Sequence, residues 1–223
     1  MLFRSFWFRT IDGAKPKGIC GSGLINIIAG LFEAGVIGQN GKFNPDLPTK
    51  RIRRGIDGYE YVLSWAPETQ IGKDIVITEV DIDNLMRAKG AMYAGCQTLG
   101  KSVGVSCSDF EQAIIAGAFG SHINIEKAIT IGLLPDLPED RFVFIGNGSL
   151  LGARLASFST DILDDARRVA GMMTNVELSE NADFMNNYMA SLFLPHTNAG
   201  DFPSVKKKLD RLSKAKLKRR ITV

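Results

Sequence analysis

The chain has 223 residues, 45% of them hydrophobic, with 27 Lys and Arg against 24 Asp and Glu. That length supports one sizeable core or two small lobes, and no run reaches the ~18 apolar residues that a membrane helix needs. Three cysteines with no C-x-x-C pair, and two histidines far apart, argue against a disulfide framework, a zinc ribbon or an iron–sulfur ligand set within this sequence.

Residues 1–8 are too short and too aromatic for a secretory segment, so the expected location is cytoplasmic. Residues 3–11 have the aromatic, β-branched composition of a strand, which Asp12-Gly13 breaks. A helix follows over 21–35, with Ser22 as N-cap and Gly35 as C-cap. Leu24, Ile27, Ile28 and Leu31 form its apolar face. Residues 36–58 read as an irregular loop, and 59–65 and 74–78 as strands. A long helix spans 81–103, with Leu85, Met92, Cys96, Leu99 and Val103 on one side. Gly90, Gly95 and Gly100 inside it signal close packing on a neighbour. Glu79, Asp81 and Asp83 at its start suit capping and dipole complementation, with a metal site as the lesser alternative. Asp161, Asp164 and Asp165 read the same way.

The rest alternates strand and helix. Strands are expected at 112–116 and 142–145 and a short one at 175–178. Helices are expected at 125–131, 150–158, 162–172 and 182–193. This alternation predicts an α/β layered domain. Residues 206–220 hold nine Lys or Arg and one Asp, so this segment carries +8 and the remainder −5 of the net +3. Val205, Leu209, Leu212 and Leu217 are spaced at roughly helical intervals there. The segment reads as a solvated, partly disordered helix, or as a binder of an acidic partner, RNA or anionic membrane.

Three glycine-bearing turns carry the functional signal. They are 17–23 (KGICGSG), 115–120 (IAGAFG) and 145–153 (IGNGSLLGA). A strand, a glycine turn and a helix start form a common nucleotide cradle, because glycine admits close approach and free N–H groups favour anions. Each turn has a plainer reading. Gly18 to Gly23 equally suits a tight turn that packs the next helix closely. Cys20 there has no histidine in support as a reactive thiol and reads as a small structural residue. Gly117, Ala118, Phe119 and Gly120 sit where ligands meet strand ends in open α/β sheets, or form a plain turn with Phe119 in the core. Phe119 could instead flank an adenine ring. Gly146, Asn147 and Gly148 permit a sharp exit from a strand, and Gly152 and Ala153 keep the next helix thin for packing.

These segments resemble the C-terminal ATPase region of the reductive activators of corrinoid proteins, in the acetate and sugar kinase/heat-shock-70/actin superfamily. The resemblance rests on Lys15 to Ile25, on 81–91 (DIDNLMRAKGA), on Ala116 to Gly120, on Gly146 to Ala153 and on 193–197 (FLPHT). It covers roughly residues 8–205. It implies an incomplete actin-like (ribonuclease-H-like) ATPase lobe, with a mixed sheet flanked by helices. Residues 1–204 would form the partial second lobe and 205–223 a basic tail, helical or disordered. It also implies an adenosine-binding turn at Gly117, Ala118, Phe119 and Gly120, and an inter-lobe connecting segment including Gly146, Asn147 and Gly148. Gly21, Ser22 and Gly23 would lie near the sugar and base. By resemblance the nucleotide is ATP or ADP with magnesium. The partner is a corrinoid iron–sulfur or methyltransferase protein, whose cob(II)alamin is returned to cob(I)alamin.

Two departures limit the carry-over. The superfamily's two Asp-x-Gly-Thr phosphate turns are missing. So is the plant-type C-x4-C-x2-C run, and a [2Fe–2S] cluster is expected only in an N-terminal part outside this sequence. Nucleotide binding by this chain alone is therefore expected to be weak or absent, with no catalytic or metal-ligating residue assigned. An incomplete sheet predicts self-association; nucleic acid is not an expected partner. The alternative reading is a stand-alone, non-catalytic nucleotide- or protein-binding module of the same superfamily, such as a subunit pairing in trans with a separate first lobe. A dehydratase-type activator or a small-molecule kinase of the superfamily is a third, and no cysteine pair supports the former.

Overall fold

Helix α1 (Gly21–Ala34) is the element around which the chain is organised. The computed structural model describes the backbone of residues 10–221 and the side chains of residues 10 and 12–215. Ile25, Ile28, Ala29, Leu31 and Phe32 of α1 are buried, at the spacing of one helical face. The N-cap is Cys20, not Ser22, which already lies inside the helix. Gly35 adopts the left-handed conformation (φ 71°) and closes α1 through its N–H to Leu31 and Phe32 carbonyls, as a C-terminal glycine does.

An antiparallel meander of β1 (Ile52–Gly55), β2 (Gly58–Ser64) and β3 (Ile75–Thr78) packs on α1. Strand β1 falls in the stretch read as loop. Its Ile-Arg-Arg-Gly composition carries almost no strand signal, and pairing with β2 from Ile52↔Tyr61 to Gly55↔Gly58 supplies it. The strand expected over 3–11 lies almost wholly outside the described residues. Its last member, Ile11, opens a short 3₁₀ turn.

Helix α2 (Glu79–Ser102) begins with a reciprocal cap. The Thr78 hydroxyl accepts the Asp81 N–H at 3.1 Å, and the Asp81 carboxylate accepts the Thr78 N–H at 2.9 Å. Glu79 accepts the Phe43 N–H and Asp83 pairs with Arg87, so the acidic cluster caps and braces as expected. The buried face of α2 differs from the expected one. Ile82, Met86, Lys89, Tyr93 and Ala94 are buried, whereas Met92, Leu99 and Val103 are 53%, 47% and 73% exposed. The true stripe was concealed by the lysine in its middle. The glycines mark close packing unevenly: Gly90 lies against Ser191 and Leu192 at the end of α6 (Ala182–Ser191), a Cβ at Gly100 would stand 2.6 Å from the Val105 carbonyl oxygen, and one at Gly95 would make only ordinary contact with Leu178 at 3.9 Å.

Beyond α2, a parallel pair joins β4 (Ala113–Ala116) to β5 (Phe142–Gly146), with α3 (Ile125–Thr130) between them in sequence. The antiparallel and parallel strands thus form two separate sheets among the described residues. Helices α4 (Gly148–Phe158) and α5 (Thr160–Met172) follow and bury no residue. Asp161 lies in the first turn of α5, while Asp164 and Asp165 pair with Arg167 and Arg168. Residues 175–178 form no strand; they lead into a 3₁₀ turn at Leu178–Glu180 and pair with none of the described strands. No helix among the described residues is long and apolar enough to cross a membrane.

The last helix, α7 (Pro203–Ile221), is anchored at its start. Val205 is buried with Phe202, Tyr93 and Phe142 in a second core cluster, which Leu134 and Leu209 join to the first. Lys208 reaches Glu33 and Glu126 at 2.6 Å each, and Lys127 reaches Glu33 at 2.7 Å, so α1, α3 and α7 share one charge network.

Lys89 is fully buried and donates to the carbonyls of Phe193 and Pro195, tying α2 to the segment that follows α6. Burial pushes its ammonium from the usual 10.5 down to about 7. Between those two pH values the unfolded chain binds the proton and the folded chain does not, so folding stability gains with rising pH. Measured by denaturant unfolding from pH 7 to 10.5, wild type should gain up to ~1.4 kcal/mol per pH unit relative to Lys89→Met. Parallel profiles for the two proteins would overturn this.

Candidate functional site

The turns at 117–120 and 146–148 meet because β4 and β5 pair in parallel. Ala113, Ile114, Ile115 and Ala116 oppose Phe142, Val143, Phe144 and Gly146, with a register shift after Ile115. Both strands end side by side, and the Gly117 N–H donates to the Gly146 carbonyl. Gly117 (φ 105°) and Gly146 (φ 63°) occupy backbone conformations that a side chain resists. A Cβ at Gly148 would stand 3.4 Å from the Ala116 Cβ, which shows how tightly the start of α4 leans on the end of β4. Asn147 is the N-cap of α4; its side chain accepts the Leu150 N–H at 3.0 Å.

The first turn joins this group through one contact. The Phe119 ring lies over Gly21, where an added Cβ would be 2.7 Å from a ring carbon. Phe119 is nonetheless 52% exposed, so its apolar surface stands beside the α1 N-terminus. Ala118 is exposed as well. Gly120 is buried against Ile115, with room for no Cβ.

The N-cap residue Cys20 engages the third N–H of α1, that of Gly23, through its thiol. Cys20 is exposed there. Hydrogen bonds from the Ser22 hydroxyl and the Gly23 N–H hold its thiol below the usual range. Gly23 looks onto a different space, a cavity of about 580 Å³. Its walls include Lys15, Lys17, Cys20, Ile27, Leu63 and Ile75, and none of 117–120 or 146–148 reaches it. Of the ten glycine-turn positions, eight therefore converge (Gly21, 117–120 and 146–148), while Ser22 turns to the Cys20 thiol and Gly23 faces away. This cavity went unread in the sequence; two lysines flanking Pro16 beside a glycine turn were the only signal available.

Among the described residues, no three His, Cys, Asp or Glu side chains gather as a metal set. Cys20, Cys96 and Cys107 range from exposed to buried; they lie on separate elements and each is a free thiol.

Residues 4–206 match the family described as the C-terminal domain of RACo, the ASKHA domain. The corrinoid activation enzyme RamQ of Eubacterium limosum is 35% identical over 189 residues, covering 82% of this chain and 32% of that protein. A [Co(II) methylated amine-specific corrinoid protein] reductase of Methanosarcina barkeri is 29% identical, covering 81% and 30%. The solved structure of a reductive activator for corrinoid, iron-sulfur protein superposes with a TM-score of 0.80 at 46% identity, over 88% of this chain and 31% of that one. The chain thus spans about a third of the length of the relatives it matches. It belongs to the family of the RACo C-terminal domain, with an ASKHA-type α/β fold whose sheets are flanked by helices.

Proposed function

We propose that this chain forms the adenosine side of the nucleotide cleft of an ATP-dependent reductive activator. The activator acts on a corrinoid protein of the iron–sulfur or methyltransferase type and returns its cob(II)alamin to cob(I)alamin. The observation that carries this reading is the convergence of Gly21, Gly117, Phe119, Gly146 and Gly148 at the ends of β4 and β5. When bound, ATP supplies the free energy that drives an electron to low potential.

The residues present fit a nucleoside and little more. Phe119 offers a half-exposed apolar ring for a flat base. Gly117 and Gly146 let the backbone approach a sugar without side-chain interference. With the Gly23 N–H engaged by the Cys20 thiol, the first two N–H groups of α1, at Gly21 and Ser22, are the ones offered to a ligand oxygen. Asn147 is committed to capping α4, so it holds the turn in shape and is not free to grip. Nothing in this group provides the acidic set that a magnesium–phosphate complex needs, and the three separated thiols do not fit a [2Fe–2S] cluster.

Three outcomes follow. In solution NMR, millimolar adenosine and ADP should shift the Phe119 ring and the amides of 117–120 to the same extent, with no effect of Mg²⁺. Phe119→Ala should abolish those shifts while thermal melting stays within a few degrees. A chain whose turn amides respond to neither ligand would refute the assignment. With MgATP, the purified chain should release phosphate no faster than buffer; magnesium-dependent turnover would overturn the reading of a one-sided cleft. Finally, β4, β5, α4 and α5 leave much apolar surface bare, so the isolated chain should self-associate at tens of micromolar. Sedimentation velocity as a clean monomer would contradict that.

A further inference from the structure

The last helix concentrates the positive charge of the molecule. Residues 206–220 hold nine Lys or Arg against Asp210 alone, while the remainder of the chain sums to −5. The apolar positions at the start of α7 are already used: Val205 is 2% exposed, and Leu209 packs on both core clusters. Lys208 is taken up by Glu33 and Glu126. Lys206, Lys207, Arg211 and Lys214 are exposed and form no ion pair among the described residues. Lys207, Arg211 and Lys214 follow the i, i+4, i+7 spacing of one helical face. The first two of these also line a groove of about 310 Å³ between α3 and the start of α7. Ile129 and Val205 supply its apolar wall. Its cations are Lys207, Lys208 and Arg211, against the single carboxylate of Glu126, which Lys208 holds at 2.6 Å.

We infer that α7 and this groove dock an acidic protein partner, through a helix with glutamates at i, i+4, i+7 spacing that sends one glutamate into the groove. A glutamate has an apolar stem for Ile129 and Val205 and a carboxylate for Lys207 and Arg211. Opposite charges at matching helical spacing set the register. A phosphodiester backbone has no such stem, and residues 203–223 contain no aromatic side chain on which a base could stack. The helix is about 28 Å long, so a longer polyanion would run onto a body that carries −5. A membrane-surface helix needs an apolar face to insert, and Val205 and Leu209 are committed to the core. The family match ends at residue 206, so it assigns nothing to the cationic face of α7. The inference does not depend on the nucleotide reading.

The test is a binding titration of the full chain against four probes. They are an alanine-rich helical peptide with glutamates at i, i+4 and i+7, the same composition with its glutamates consecutive, a single-stranded RNA oligonucleotide, and phosphatidylserine vesicles. The spaced peptide should bind at least tenfold more tightly than each of the other three, and raising salt from about 50 to about 200 mM should weaken it at least threefold. Lys207→Glu with Arg211→Glu should weaken the spaced peptide at least tenfold. Both positions are exposed, so the circular dichroism melt should be unchanged. Lys50→Glu with Lys73→Glu makes the same change in net charge at exposed positions elsewhere and should leave binding within twofold. Four results would overturn the inference: no binding of the spaced peptide, equal binding of the two peptides, binding of RNA or vesicles as tight as that of the spaced peptide, or equal loss in the two double variants.

Discussion

Burial of one face of α1 is the constraint on which the remaining geometry depends. Ile25, Ile28, Leu31 and Phe32 are fixed between the meander, α2 and α3, so the direction of the helix is not free to change. Its first residue therefore points to one place, and Phe119 occupies that place. The contact works only because position 21 lacks a side chain. A methyl group there would push the ring away and separate the first glycine turn from the other two.

Charged groups join the layers that the apolar core does not. Lys208, Lys127, Glu33 and Glu126 link α7, α1 and α3 in one partly buried network. Such pairs add modestly to stability, since desolvation offsets much of the attraction, but they fix which helix lies against which. Lys89 is the more demanding case. Its ammonium is wholly enclosed and is held by two backbone carbonyls of the segment after α6. That segment belongs to the stretch on which the family resemblance rests, so the lysine and its acceptors form one structural unit.

The two glycine turns at 117–120 and 146–148 are held side by side by the same pair of strands. Among the described strands β4 and β5 pair only with each other, and Ala113, Ile115 and Phe142 join them to the second core cluster. Two short strands alone are marginally stable, so that attachment is what keeps the turns together.

The sequence alone determined most of the local structure and the family. Both long helices at the start of the chain, the strands at β2 to β5, the Gly35 cap and the capping role of the acidic residues at the start of α2 follow from short-range rules of periodicity, capping and glycine conformation. The glycine turns were legible for the same reason, since glycine is the residue that most readily takes the positive-φ backbone at 117 and 146. What the tertiary structure decided depends on distant partners. Strand β1 exists because β2 lies beside it. The buried face of α2 includes a lysine whose acceptors are more than a hundred residues away. Gly21 joined the site and Gly23 left it because they lie two positions apart on a helix, and so face different sides of it. No periodicity or spacing carries that information, because it belongs to the packing of elements and not to any one of them.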